Sequence, residues 1–145
     1  MAEHVQAALD HMVAPLRDLM DRHIFSQDEI RAIVTRRRES EYLVRRRAAR
    51  KADFVRYIEA EMMLEKLRAL RTEKKKRDHR RAQREKGIDA DENNNNKDKD
   101  KEDPIGDVHI IQHIHLLFVR AIRKFRSDLS LHLQHAEFCK TAKSW

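Results

Sequence analysis

The chain has 145 residues, of which 39% are charged, two are Gly, two are Pro and one is Cys. Gly and Pro most readily punctuate sandwiches, barrels and doubly wound sheets, so their scarcity excludes turn-rich architectures and predicts an all-α fold. With 40% hydrophobic and 6% aromatic residues the core is modest, which argues against a compact enzyme with a deep pocket.

The lone Cys139 excludes an internal disulfide and fits a reducing compartment. The longest mainly apolar run, residues 110–122, contains Arg120 and falls short of the about 20 residues that span a bilayer. The first ten residues carry Glu3 and Asp10 where a secretory signal would carry basic charge and an apolar stretch.

The net charge of +7 is unevenly spread. Residues 1–30 hold two Arg against six acids, residues 31–86 hold twenty-one Lys and Arg against nine acids, and residues 108–145 hold six basic residues against two acids. Between them, residues 87–107 hold three Lys against eight acids, with a four-Asn tract and both Gly. That stretch has too little apolar surface to offset its ordering entropy. It is therefore expected to be a flexible linker between an N-terminal helical domain with a basic extension (1–86) and a C-terminal helix pair (108–145).

In chain order, Val5, Leu9, Met12, Val13, Leu16 and Met20 recur at helical steps and predict a helix over 2–22. Pro15 predicts a kink there, or a second helix restarting at the proline. Ser26 and Glu29, with Phe25 before them and Ile30 after, read as a capping box with a hydrophobic staple. Ile30, Ile33 and Val34 begin that helix's stripe, and Tyr42 and Leu43 continue its apolar contacts between arginine runs at 36–38 and 45–47.

A third helix is expected from near Asp53, with Phe54, Tyr57, Ile58, Glu61, Leu64, Leu67 and Leu70 at helical spacing. From 72 to 86 the apolar face ends while helix-favouring Lys, Arg, Glu and Gln continue. After the linker, Asp107 is the expected cap of a helix striped by Ile111, Ile114, Phe118, Ala121, Ile122 and Phe125. A last helix is expected from Ser127, its cap, to about Lys143; Leu129, Leu131 and Leu133 alternate as in a strand, but with Ala136, His135 and Phe138 they also fit one broad helical face.

Little here points to catalysis. His109 and His113 have the spacing of two zinc ligands, but no Glu follows the first and no further ligand completes a shell, so they read as residues at the edge of an apolar face. His135 lies four residues before Cys139, but nothing supplies a placed base and oxyanion donors, so Cys139 reads as structural. Two Gly cannot build a phosphate-cradling loop. No catalytic, cofactor or metal site is assigned.

The positive signal is basic charge. Lys74, Lys75, Lys76, Arg77, Arg80, Arg81 and Arg84 are candidate contacts to RNA phosphate, which release counterions without reading sequence. A merely solvated charged face is the competing reading. The absence of aromatic residues between Tyr57 and Phe118 argues against base stacking there. The arginines at 36–38 and 45–47, interleaved with apolar residues, suit an acidic protein surface as well as RNA.

The block from Ile24 to Arg71, which contains IFSQDEIRAIVTRRRESEYLVRRR and DFVRYIEAEMMLEKLRALR, resembles the N-terminal region of the U3 small nucleolar RNA-associated family built on half-a-TPR (HAT) repeats. Phe54, Tyr57 and Glu61 match the aromatic, Tyr and Glu of a HAT helix, and FVRAIRKFRSDLSLHLQHAEF looks like one repeat's second helix entering the next. His132 and His135 stand where that pattern carries Trp and Tyr, and Cys139 where it carries Glu.

The resemblance implies the start of an α-solenoid, truncated here, in a subunit of the UtpB complex of the small-subunit processome. It further implies a nucleolar, non-enzymatic scaffold in 18S rRNA maturation, with WD-repeat proteins of that complex as partners and U3 RNA or pre-rRNA nearby. No membrane or small-molecule partner is expected. Apolar stripes exposed on too few helices would mark the partner interface. Its candidate anchors are Phe25, Ile30, Ile33, Val34, Tyr42, Phe54, Tyr57 and Ile58. Two alternatives are an autonomous basic helical protein that binds RNA or DNA, and a HAT-repeat adaptor of mRNA processing.

Overall fold

The computed structural model describes residues 2–87 and 104–142, and among them every regular element is an α-helix. These are α1 (Ala2–Asp10), α2 (Val13–Asp21), α3 (Gln27–Arg45), α4 (Lys51–Glu85), α5 (Ile105–Lys124) and α6 (Leu129–Ala142). The protein is all-α.

The first helix breaks earlier than the sequence predicts. The interruption falls at His11 and Met12, and Pro15 sits in the first turn of α2, where its missing N–H forfeits no intrahelical bond. At the other end of α2, the amides of His23 and Ile24 bond to the carbonyls of Met20 and Leu19, and His23 takes φ 59°. That is a Schellman ending with His where Gly is usual, and it turns the chain so that Ile24 and Phe25 enter the core.

The predicted capping box opens α3: Ser26 Oγ accepts from the Glu29 amide at 3.2 Å, and Glu29 Oε1 accepts from the Ser26 amide at 3.1 Å. Asp53 acts one turn into α4, accepting from the Arg50 amide at 2.9 Å. Asp107 does not cap α5, which starts after Pro104. In α6 the cap is Asp128 rather than Ser127, its Oδ1 accepting from the Leu131 amide at 3.3 Å.

α5 is the centre of the bundle. It runs antiparallel to α4, with Phe54 edge-on to Phe125 at one end (5.9 Å between centroids) and Arg68 bonded to Asp107 at the other. α2 packs on it as well; α1 and α4 pack on α3, and α6 packs on α5, with Lys51 at the start of α4 bonding Ser130 of α6 and its cap Asp128. Ile110, Ile114, Leu117, Phe118 and Ala121 have no exposure at all. The two units expected on either side of the linker therefore share one core. α5 is long and apolar enough to cross a bilayer, because the helix extends beyond the 110–122 run on both sides, but its apolar face is spent on α2 and α4.

Candidate partner and nucleic-acid surfaces

Two runs of charge that look alike in sequence differ in that one, at 36–38, sends a residue into the core. In the first, Arg37 is fully buried and grips Glu61 of α4 through two bonds of 2.8 Å, Nε to Oε1 and Nη2 to Oε2. Its Nη1 donates to His109 Nε2 of α5 at 2.9 Å. A guanidinium only donates, so His109 accepts there and carries its proton on Nδ1. Burial alone would raise the Glu61 carboxyl, but the Arg37 charge outweighs it and holds the group below its ordinary value.

Glu41, one turn along α3, is buried too. Burial would lift its carboxyl, but Arg120, then Arg45 and Tyr57, hold it low. Arg120 reaches both Glu41 oxygens at 2.9 and 3.1 Å, and Tyr57 donates to Oε1 at 3.0 Å. The Tyr57 proton being committed, His113 Nε2, 3.0 Å from the hydroxyl, is the donor in that contact. Burial, then the Arg37 charge, pushes both His109 and His113 down to about 4. A second knot lies at the opposite end of the α4–α5 contact, where Asp107 accepts from Arg22 at 2.9 Å and Arg68 at 3.0 Å and so ties α2, α4 and α5 together.

The second run behaves as a solvated arm. Arg71 is the last side chain of α4 anchored on α3, bonding Glu29 at 2.7 Å and lying over the Phe25 ring at 5.3 Å. Lys75 then bonds the Arg22 carbonyl at the end of α2. From Lys76 to Glu85 the helix continues almost wholly exposed, an arm of about 15 Å. Lys74, Arg77, Arg81 and Arg84 recur at steps of three, four and three, forming one stripe, and with Arg80 they line a shallow depression of about 520 Å³. Lys75 is turned back to the bundle, away from this stripe.

The expected partner anchors lie largely inside. Phe25, Ile33, Phe54, Tyr57 and Ile58 are buried in the chain's own core, Ile30 and Val34 are half-buried against it, and Tyr42 is exposed. The stripes expected to stay open are closed by one another and by α5. Besides Tyr42, the exposed apolar residues include Met63, Leu67 and Leu70, a stripe on the outer side of α4, and Leu129 and Leu133 on α6.

His109 and His113 stack 6.0 Å apart but spend their Nε2 atoms on Arg37 and Tyr57. A different group, His115 of α5 with His135 and Cys139 of α6, gathers three ligand atoms within 4.8 Å. The signal available in sequence was the four-residue step from His135 to Cys139; the third donor comes from another helix and no spacing reveals it.

The family model described as U3 small nucleolar RNA-associated protein 6 matches residues 9–101. The chain is 32% identical over 144 residues to the Schizosaccharomyces pombe protein of that name, covering 99% of this chain and 25% of the relative. It is 29% identical to the Mus musculus homolog and 28% identical to the Homo sapiens homolog, over 97% of this chain and 20% of each relative. The chain thus spans a quarter or less of the length of these curated relatives. It belongs to the U3 small nucleolar RNA-associated protein 6 family.

Proposed function

We propose that the chain acts as a non-enzymatic scaffold in U3-dependent pre-rRNA processing, as part of the UtpB complex of the small-subunit processome in the nucleolus, and that it supports 18S rRNA maturation. Family membership supports the U3 connection, since the named relatives are U3 small nucleolar RNA-associated proteins. The match includes the block from Ile24 to Arg47, the part an mRNA-processing HAT adaptor would lack. In this reading the bundle is the first HAT-type unit, and WD-repeat proteins are the partners.

The observation that carries the mechanism is the exposed stripe of Lys74, Arg77, Arg81 and Arg84 beyond the last anchored turn of α4. Over about 15 Å it meets about four phosphates at the spacing of one strand. The outer stripe of Met63, Leu67 and Leu70 is the surface offered to a protein partner in place of the buried anchors. Affinity purification of the tagged chain tests the scaffold: U3 RNA and WD-repeat proteins should co-purify, and their absence overturns it.

A second reading, an autonomous basic binder of RNA or DNA, draws support from the closed core, which leaves charge as the main exposed feature. Filter binding against salt separates the two. Nanomolar affinity of the isolated chain, falling steeply with salt, favours the autonomous binder; no binding without partner proteins favours the scaffold.

A further inference from the structure

We propose that His115, His135 and Cys139 form a zinc-binding site that clips α6 to α5. His135 and Cys139 lie one turn apart on the face of α6 that meets α5, and His115 answers them from α5. His115 Nδ1 and His135 Nε2 are 3.0 Å apart, and Cys139 Sγ is 3.9 Å from His115 Nδ1. Tetrahedral zinc, with bonds of about 2.0–2.1 Å to nitrogen and 2.3 Å to sulfur, needs about 3.3 Å between nitrogens and about 3.6 Å from nitrogen to sulfur. The His115–His135 and His115–Cys139 separations meet these within a few tenths of an ångström, and all three ligand atoms lie within 4.8 Å of one another.

The donor set is also of the right chemistry. Two imidazoles and a thiolate suit zinc better than a hard cation, and three protein ligands leave the fourth position to water or another donor. The rings are already held: Phe118 stacks on His135 at 4.9 Å and 18°, and Phe138 meets His115 edge-on at 4.9 Å. Burial keeps both histidines below their ordinary value, and for His135 the neighbouring His115 and His132 add to the effect, so the neutral ring that a metal needs is favoured. On binding, the Cys139 sulfur exchanges its proton for the zinc bond and that proton leaves to solvent.

The clip answers a weakness of the fold. Among the described residues of α6 only Leu131 is fully buried, while Leu129 and Leu133 on the same helix are exposed. Packing by itself therefore anchors α6 lightly, and a metal joining it to α5 adds what the apolar contact lacks.

The chain's single thiol makes the test direct. Zinc at one equivalent should slow alkylation of Cys139 by more than about tenfold, with chelator restoring the rate, and cobalt in its place should give tetrahedral d–d bands with a thiolate-to-cobalt charge-transfer band. Cys139→Ser should remove the charge-transfer band, and His135→Asn should weaken cobalt binding by more than about tenfold, each keeping the apo far-ultraviolet dichroism. Failure of zinc to protect Cys139 in the unmodified chain, or cobalt binding without the thiolate band, overturns the proposal and requires no variant to fold.

Discussion

Replacing Arg37 by Met keeps most of the side-chain volume but leaves the Glu61 carboxylate without its cation. Glu61 is 3% exposed and Arg37 fully buried, so water cannot fill the role. Breaking a buried pair from one side costs about 3–5 kcal/mol, because the remaining charge is uncompensated. For a chain of this size that corresponds to a fall of about 10–15 °C in the thermal midpoint. The double replacement, Arg37→Met with Glu61→Leu, should recover most of the loss, since no lone charge stays buried.

Acid supplies an independent sign test. In the unmodified chain Glu61 is held below the 4.5 of a free carboxyl, so its contribution is present above that pH and lost below it. In the Met variant burial without a cation raises the carboxyl instead, so the variant's deficit should narrow as pH falls. Loss of the Arg37 charge beside His109 and His113 acts in the same direction. Urea unfolding followed by far-ultraviolet dichroism at pH 7.5 and 5 measures all of this. A single-variant cost below about 1 kcal/mol, or a deficit that widens in acid, would refute the argument that this pair is desolvated.

Stability of the unmodified chain should itself fall with acid. His109 and His113 drop from 6.5 unfolded to about 4 folded, so the unfolded chain takes up protons first; stability is full above about 6.5 and is lost down to about 4, by about 3–6 kcal/mol for the pair, and His109→Gln should flatten the pH dependence measured by urea titration. Gly106→Ala should destabilise by about 1–3 kcal/mol despite the better helix propensity of Ala, because the added carbon would sit 2.6 Å from Asp18 Oδ2 and 2.7 Å from Leu19 Cγ; a variant that melts at or above the parent temperature would contradict the packing of α5 on α2. Charge reversal of Arg77 and Arg81 should leave the melt within about 0.5 kcal/mol, because both are exposed, while reducing the salt slope of RNA binding by about 1–2; an unchanged slope would remove the stripe from the contact surface.

Local signals were legible where a few adjacent residues settle the geometry. Ser26 and Glu29 announce their capping box because both partners lie within four residues. Asp107 misleads by the same logic: its short acidic side chain suits a cap, but Arg22 and Arg68 reach it across the bundle, which no local pattern reveals. The arginine run at 36–38 reads as a contact for an acidic protein surface or RNA, and Arg36 and Arg38 are indeed exposed. Yet Arg37 continues the stripe of Ile30 and Ile33, with Glu41 and Val44 after it, at steps of three and four. Glu61 and Arg68 interrupt the stripe of Phe54, Tyr57, Ile58 and Leu64 in the same way. Charges of opposite sign on the apolar faces of two helices can stay there only if they meet, so the pairing was latent in the period though not in the composition.

The acidic, Asn-rich stretch expected to be a flexible linker lies largely outside the described residues, but the helices on either side of it fix the span between its ends. Phe54 against Phe125, Tyr57 beside His113 and Arg68 on Asp107 fix α4 and α5 as antiparallel neighbours. α4 then runs from Arg68 to Glu85, about 25 Å past the point where α5 begins. The chain must cover that distance back to Ile105, which takes about eight fully extended residues at the least. A two-residue turn of the kind that joins α1 to α2 could not serve. An α4 that carries Arg77, Arg81 and Arg84 clear of the bundle therefore requires a long connection to α5 rather than a tight turn. Residues 88–103 lie outside the described residues, and α5, which follows them, is the most deeply buried of the described helices.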